Sequence, residues 1–202
     1  MAPEDRRDAI VAAALAVARR QGLARTTVRE VAVEMGTSPG LIHHYFDSMD
    51  DVLAAAFELV AQADFDRAAH EVRRASGSVE ALRALFATYA PADADWAFQL
   101  WLDAWAEAAR RPTIQAVSRT QNLAWHGLIA DVIAAGVVAG TFDCPDPSAA
   151  AWRILSLLDG LALQVVAHGT TISRPDALRW TALATERELG LAVGTLADVR
   201  RP

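Results

Sequence analysis

The densest run of side chains able to do chemistry is Thr37-Ser38-Pro39-Gly40-Leu41-Ile42-His43-His44-Tyr45-Phe46. Hydroxyls, imidazoles and a phenol crowd together there, and Gly40 adds a position with almost no side chain. Such groups suit hydrogen-bonding edges and anionic oxygens: base edges in a DNA major groove, and the phosphates beside them. Each residue also has a plainer use. Thr27 and Ser38 fit helix caps, His43 and His44 fit a solvated helix face, and Tyr45-Phe46 fits packing.

The elements that must position these residues are short helices. Residues 4–21 place Ile10, Ala13, Ala14, Val17 and Ala18 on one face, and Gly22 stops that helix. Thr27 with Glu30 has capping-box spacing, and the helix it opens turns Val28, Val31, Ala32 and Met35 inward until Gly36. Ser38 as N-cap and Pro39 as first helical residue start a third helix of about 39–45. A tight glycine-containing turn of this length sets two helices at a steep angle. Leu41, Ile42 and Phe46 can anchor the third helix while Ser38, Gly40, His43, His44 and Tyr45 face outward.

Ser48 with Asp51 opens a long fourth helix to about Arg74, and further helices are expected near 79–90, 94–110, 113–139, 147–168 and 175–194. No period-two strand pattern, internal repeat or low-complexity tract is present, so the fold class is all-α with about nine helices. A loose tail is expected at Val199–Pro202.

Composition narrows the class without choosing the function. The chain has 202 residues, 53% hydrophobic and 22% charged, enough for a sizeable core. Its single cysteine, Cys144, excludes an internal disulfide and suits a reducing interior. The start MAPEDRRDAIVAAA lacks the order of a signal peptide, and no 18-residue apolar stretch is free of charges or breakers. A cytoplasmic protein with no membrane span is expected. The net charge of −6 argues against a generic nucleic-acid coat, so any DNA reading rests on the local pattern.

Residues Thr26 to Leu53, TTVREVAVEMGTSPGLIHHYFDSMDDVL, resemble the DNA-binding signature of the TetR family of transcriptional regulators. The match runs through Gly22, Thr27, Val31-Ala32, Gly36, Ser38, Gly40, Leu41-Ile42, Tyr45-Phe46 and the Ser48 to Leu53 start of the fourth helix. The resemblance implies a three-helix head over residues 1–50, with its motif at 27–46. A helical body over 51–202 would bind a small effector and dimerise. It also implies phosphate contacts from Thr27 and Tyr45, with Thr37, Ser38, Pro39, Gly40, His43 and His44 toward bases or flanking backbone. Many relatives carry a lysine at the start of the fourth helix. Met49-Asp50-Asp51 stands there instead, and the chain has no lysine at all. Arg25 and Arg29, with Arg6 and Arg7, are the candidate substitutes.

The body offers a second constellation. Trp101 and Trp105 lie one helical turn apart, with Phe98 on the same side, and Trp125-His126 and Trp152 follow in later helices. They read either as core filling or as an aromatic-lined cavity with polar closures. The candidate lining is Trp101, Trp105, Gln121, Trp125, His126 and Gln164. The Trp-rich segment is loosely similar to the body of choline-responsive relatives, which would make a quaternary ammonium held by cation–π contact one option. The effector itself stays unidentified. Residues 150–166 are almost wholly apolar: either a central core helix or, with Leu178, Ala182, Thr185, Leu189 and Val193, half of a four-helix interface between two copies. The dimer reading implies a palindromic operator on double-stranded DNA.

No Glu-x-x-His pair, His-x-x-x-His pair or P-loop occurs, so no cofactor, metal site or enzyme activity is expected. The function expected is a DNA-binding regulator, a repressor released by a small molecule. The rival readings are a helical protein-interaction module and a small helical enzyme with a vestigial head.

Overall fold

The computed structural model describes residues 3–91, 95–169 and 172–196. The tail expected at 199–202 lies outside the described residues. Among those residues there are nine α-helices and no strand: α1 (Pro3–Gln21), α2 (Val28–Glu34), α3 (Pro39–Tyr45), α4 (Met49–Arg74), α5 (Ser78–Ala87), α6 (Asp95–Ala108), α7 (Pro112–Val138), α8 (Pro147–His168) and α9 (Arg174–Glu188). A short 3-10 turn, Leu23–Arg25, sits between α1 and α2. Sequence periodicity did not predict it.

Packing divides the chain into two compact units. The first contains the residues up to Ala63 together with Trp96–Gln121; the second contains Asp64–Asp95 and the chain from Asn122 onward. In the first unit, Ile10 and Ala14 of α1 pack with Val31 and Ala32 of α2, Ile42 and Phe46 around α3, and Val52 and Ala56 of α4. This small core fixes the angle between α2 and α3. α4 begins as expected: the Ser48 hydroxyl accepts the Asp51 N–H at 3.2 Å and donates to the Asp51 carboxylate at 2.7 Å.

In the second unit, Ile154, Leu155 and Leu158 of α8 and Leu178 and Ala182 of α9 are buried. α9 ends at Glu188, six residues short of the expected 194. The cause is buried Glu186, whose carboxylate accepts the N–H groups of Gly194 at 2.9 Å and Leu196 at 2.6 Å. The chain is folded back into a turn where apolar spacing suggested more helix. Arg83 also donates to the Thr195 carbonyl within this unit.

α8 has an 18-residue window of mean hydropathy 1.4, long and apolar enough by itself to cross a membrane. It carries Arg153 and Asp159 and packs along α9. Only 28% of that window is buried within one chain, so α8 is not the central core helix of a monomer, one of its two readings. The face proposed for α9 also needs correction. Leu178, Ala182, Thr185 and Leu189 are buried inside one chain, and Val193 lies beyond the helix, 77% exposed. The apolar side chains that α9 leaves open are Trp180, exposed, and Leu183, half-buried.

Candidate nucleic-acid interface

α2 starts on a complete capping box. Thr27 Oγ1 accepts the Glu30 N–H, and Glu30 Oε2 accepts the Thr27 N–H at 2.9 Å and the Thr27 hydroxyl at 2.8 Å. Hydrogen bonds from Gln21 and then from Thr27 hold the Glu30 carboxyl below the usual carboxylate range. The Thr27 hydroxyl is therefore engaged by the cap, as the plainer reading of this residue requires.

The turn that follows is built on Gly36, whose φ of +63° lies in the left-handed region that favours glycine. The Thr37 N–H closes the turn onto the Ala32 carbonyl at 2.9 Å. Ser38 occupies the N-cap of α3 with extended backbone, but its side chain makes no capping hydrogen bond. The expected Ser38 cap is thus positional only, because φ −91°, ψ 151° and Pro39 already start the helix.

α3 has two sharply different faces. Ile42 is 1% exposed and Phe46 4%, locked into the small core. Ser38, Pro39, Gly40, His43 and His44 are exposed, and Thr37 and Tyr45 are half-buried. His44 and Tyr45 meet edge to face at 5.0 Å. A Cβ at Gly40 would meet nothing nearer than Ser38 Oγ at 3.8 Å, so the fold itself does not demand glycine there. Its bareness leaves room for close approach from outside.

The basic residues divide by employment. Arg7 donates to the Tyr45 carbonyl at 3.0 Å and lies 4.0 Å over the Phe46 ring, bracing the C-terminal end of α3. Arg20 pairs with Glu34 at 2.5 Å. Arg25 and Arg29 are exposed beside the α2 start. At the start of α4, Asp50 pairs with Arg111 at 2.5 Å, and Arg111 also takes Glu107 at 2.7 Å. With Asp51 bonded to Ser48, both carboxylates that follow Met49 are held by other groups.

Gly36-Thr37-Ser38-Pro39-Gly40 formally matches Gly-x-Ser-x-Gly, a nucleophile motif that needs a strand leading into the turn. Here a helix leads in, and Ser38 has no histidine hydrogen bond among the described residues. No group of three or more His, Cys, Asp or Glu side chains is arranged to hold a metal among the described residues.

The aromatic candidates fall into both units. In the first, Trp101 lies edge to face on Phe57 at 4.9 Å and is followed by Trp105 at 5.7 Å. Gln121 is 3% exposed; it donates to Gln62 Oε1 at 2.9 Å, and its own Oε1 has no partner. In the second, Trp125 meets Phe65 at 5.8 Å and Tyr89 at 6.1 Å, both edge to face. His126 stacks on Trp152 at 4.2 Å and bonds the Ser148 carbonyl at 3.0 Å, so it is a satisfied histidine. Gln164 is half-buried on α8.

Sequence reasoning missed Phe65, Tyr89 and Asp159. Burial pushes the Asp159 carboxyl up to about 7. Burial first, then the Asp159 and Asp64 carboxylates, push the Tyr89 phenol well above its ordinary value. The signal was available: Asp159 is the only charged residue in Ile154–Ala167, an otherwise apolar run.

A short helix with one buried and one polar exposed face, set by a glycine turn against a second helix, defines a helix-turn-helix DNA-binding regulator. Residues 10–56 match the model for bacterial regulatory proteins of the tetR family, and residues 78–190 match the BetI-type transcriptional repressor C-terminal model. The chain belongs to the TetR family of transcriptional regulators, with a C-terminal region of the BetI type.

Among its relatives, the HTH-type transcriptional regulator BetI of Paraburkholderia xenovorans (strain LB400) is 30% identical over 184 residues, covering 87% of this chain and 89% of that one. A transcriptional regulator from Saccharomonospora viridis, solved in complex with choline, is 26% identical with a TM-score of 0.82, covering 92% of this chain and 98% of that one. A transcriptional regulator from Pseudomonas aeruginosa PAO1 is 25% identical with a TM-score of 0.81, covering 99% and 96%.

Proposed function

We propose that this regulator is a cytoplasmic repressor that holds a palindromic operator as a homodimer and lets go when a small cationic effector binds. The observation that carries the DNA part is the exposed edge of α3. Ser38, Gly40, His43 and His44 stand free on a helix whose opposite face is locked in the core. They would read base edges, while Thr27, Arg25, Arg29, Thr37, Pro39 and Tyr45 would fix the register on the backbone. Residues 1–50 serve as the reading head and 51–202 as the effector and dimer body.

Dimerisation through α8 and α9 is supported by the apolar surface that one copy leaves open: Trp152 and Leu163 on α8 and Trp180 on α9 are each more than a third exposed. A quaternary ammonium is favoured as effector by the choline complex of the similar Saccharomonospora protein. Within the second unit Trp125, His126 and Gln164 remain the candidate contacts, whereas Trp101, Trp105 and Gln121 belong to the first unit. The ligand must bind the released conformation more tightly, or nothing shifts. α4, which begins at the head and runs into the body, is the route for that shift.

The test is a fluorescence-anisotropy titration of DNA flanking the chain's own gene, at low and moderate salt, with and without choline. A shift that weakens with salt and is reversed by choline is expected. No binding at low salt to any such fragment would overturn the DNA reading; binding indifferent to saturating choline would overturn the effector.

A further inference from the structure

Asp159 stands alone in an apolar helix. It is the only charged residue in 154–167, its side chain is half-buried among apolar neighbours on the helix, and no hydrogen bond or ion pair reaches it among the described residues. Such a carboxylate is costly unless it is protonated or meets a cation. The fixed cation near this cluster, Arg174, is engaged by the Tyr89 carbonyl at 2.9 Å and by Asp95.

The surroundings within the second unit are aromatic. The Tyr89 ring meets Trp125 edge to face at 6.1 Å, and Trp125 meets Phe65 at 5.8 Å. Tyr89 lies within electrostatic reach of both Asp159 and Asp64. Ring faces attract a desolvated cation, and a carboxylate beside them supplies the opposite charge. Aromatic rings with a carboxylate that lacks a partner are complementary to a positive ligand that brings no hydrogen-bond donor.

We propose that Asp159 is the counter-ion of the cationic effector and gives up its proton to solvent when the effector binds. This rests on the reading of the effector as a cation. The exchange balances: a neutral carboxylic acid and a free cation become a carboxylate–cation pair, and one proton enters bulk water. No bond other than the O–H bond of Asp159 breaks. With Asp159 up to about 7, the empty site is mostly protonated at pH 6 and mostly ionised at pH 8. Binding therefore costs a deprotonation at pH 6 and little at pH 8, and tightens as pH rises. The effector response becomes sensitive to pH across the neutral range.

The other titratable or charged groups around this cluster are Asp64 from α4, Tyr89 just past α5, His126 from α7 and Arg174 from α9. Tyr89, pushed above its ordinary value by burial, stays protonated throughout this range. His126 is turned to Ser148 and Trp152.

The test is calorimetric titration of the full chain with choline, without DNA, at pH 6, 7 and 8 in buffers of different ionisation heat. Choline carries a permanent charge, so its own protonation adds nothing. The expected result is close to one proton released at pH 6, almost none at pH 8, and an affinity gain of about tenfold between them. Asp159→Asn, which keeps the side-chain shape, should flatten the profile and lose at least about tenfold in affinity at pH 8. Choline binding that is independent of pH in the unaltered chain overturns the proposal while leaving the cationic effector standing. A pH profile that persists in Asp159→Asn overturns it as well. No choline binding at any pH overturns both.

Discussion

The carboxylate of Asp103 on α6 accepts the backbone N–H of Leu23 at 3.0 Å, eighty residues away in the chain. That N–H opens the 3-10 turn between α1 and α2 and would otherwise be an orphan donor. The approach is close enough to dictate its neighbour: a Cβ at Gly22 would lie 3.0 Å from Asp103 Oδ2, and Gly22 has φ +86°. Arg19 at the end of α1 lies 4.0 Å over the Trp96 ring, also on α6. The head is thus fastened to α6 as well as to α4. Asp103→Ala is expected to lower stability by about 1–3 kcal/mol, the cost of leaving a part-buried N–H unpaired. Asp103→Asn keeps an acceptor and should retain most of it. Thermal melts of the two variants decide: equal losses would mean the hydrogen bond is not what matters.

Gly40 separates folding from recognition. Its Cβ space is open and valine is no worse a helix former than glycine, so Gly40→Val should leave the melting temperature within about 1–2 °C of the unaltered chain. Operator affinity should fall at least about tenfold, because the new side chain stands where the DNA approaches. Anisotropy titration beside a melt tests both halves.

Arg29→Ala and Arg25→Ala should weaken binding about equally on all DNA sequences. Each should reduce the slope of log affinity against log salt by about 1. His44→Ala should instead change the preference among operator variants and leave that slope nearly intact. Identical behaviour of the arginine and histidine variants would remove the division between backbone and base contacts.

Leu163→Arg places a charge on the open face of α8, 36% exposed in one copy. Sedimentation velocity should give a monomer where the unaltered chain gives a dimer, and binding to a full palindrome should drop toward that of a half-site. A dimer that survives both Leu163→Arg and Trp180→Arg uses another surface.

Asp159 also sets a stability profile. An unfolded aspartate titrates near 3.9, and the folded group near 7. Between these values the folded state holds the extra proton, so stability falls as pH rises through this window and levels off above it. Asp159→Asn removes the effect. Its melting temperature should exceed that of the unaltered chain at pH 8, by about 2–4 °C for each kcal/mol regained, and by less at pH 5.

Much of this was legible in the sequence because the local chemistry repeats a simple rule. Gly36, Ser48 and Pro147 each mark a boundary where a helix must stop or start, and α3, α4 and α8 obey them. The exposed face of α3 followed from placing Ile42 and Phe46 inward. What failed was whatever depends on partners distant in sequence. The end of α9 is set by the grip of Glu186 on residues that apolar spacing would have kept helical. Of the side chains assigned to a dimer face with α9, Leu178, Ala182, Thr185 and Leu189 are consumed by packing inside one chain. Asp159 and Tyr89 escaped notice because periodicity weighs a face, whereas their chemistry comes from a neighbourhood assembled by α4, α7 and α8.

Ser38 starts α3 without using its hydroxyl to do so. A serine that caps its own helix is fixed as an acceptor, since its oxygen is aimed at a backbone N–H. An uncommitted serine at the same place is a rotor that can donate to one base edge and accept from another. In the proposed reading Ser38 is thus the most tolerant contact, and exclusion of wrong operators would fall to the stiffer imidazoles of His43 and His44. Drift in operator sequence opposite Ser38 should cost this regulator little, while drift opposite the histidines should not be forgiven.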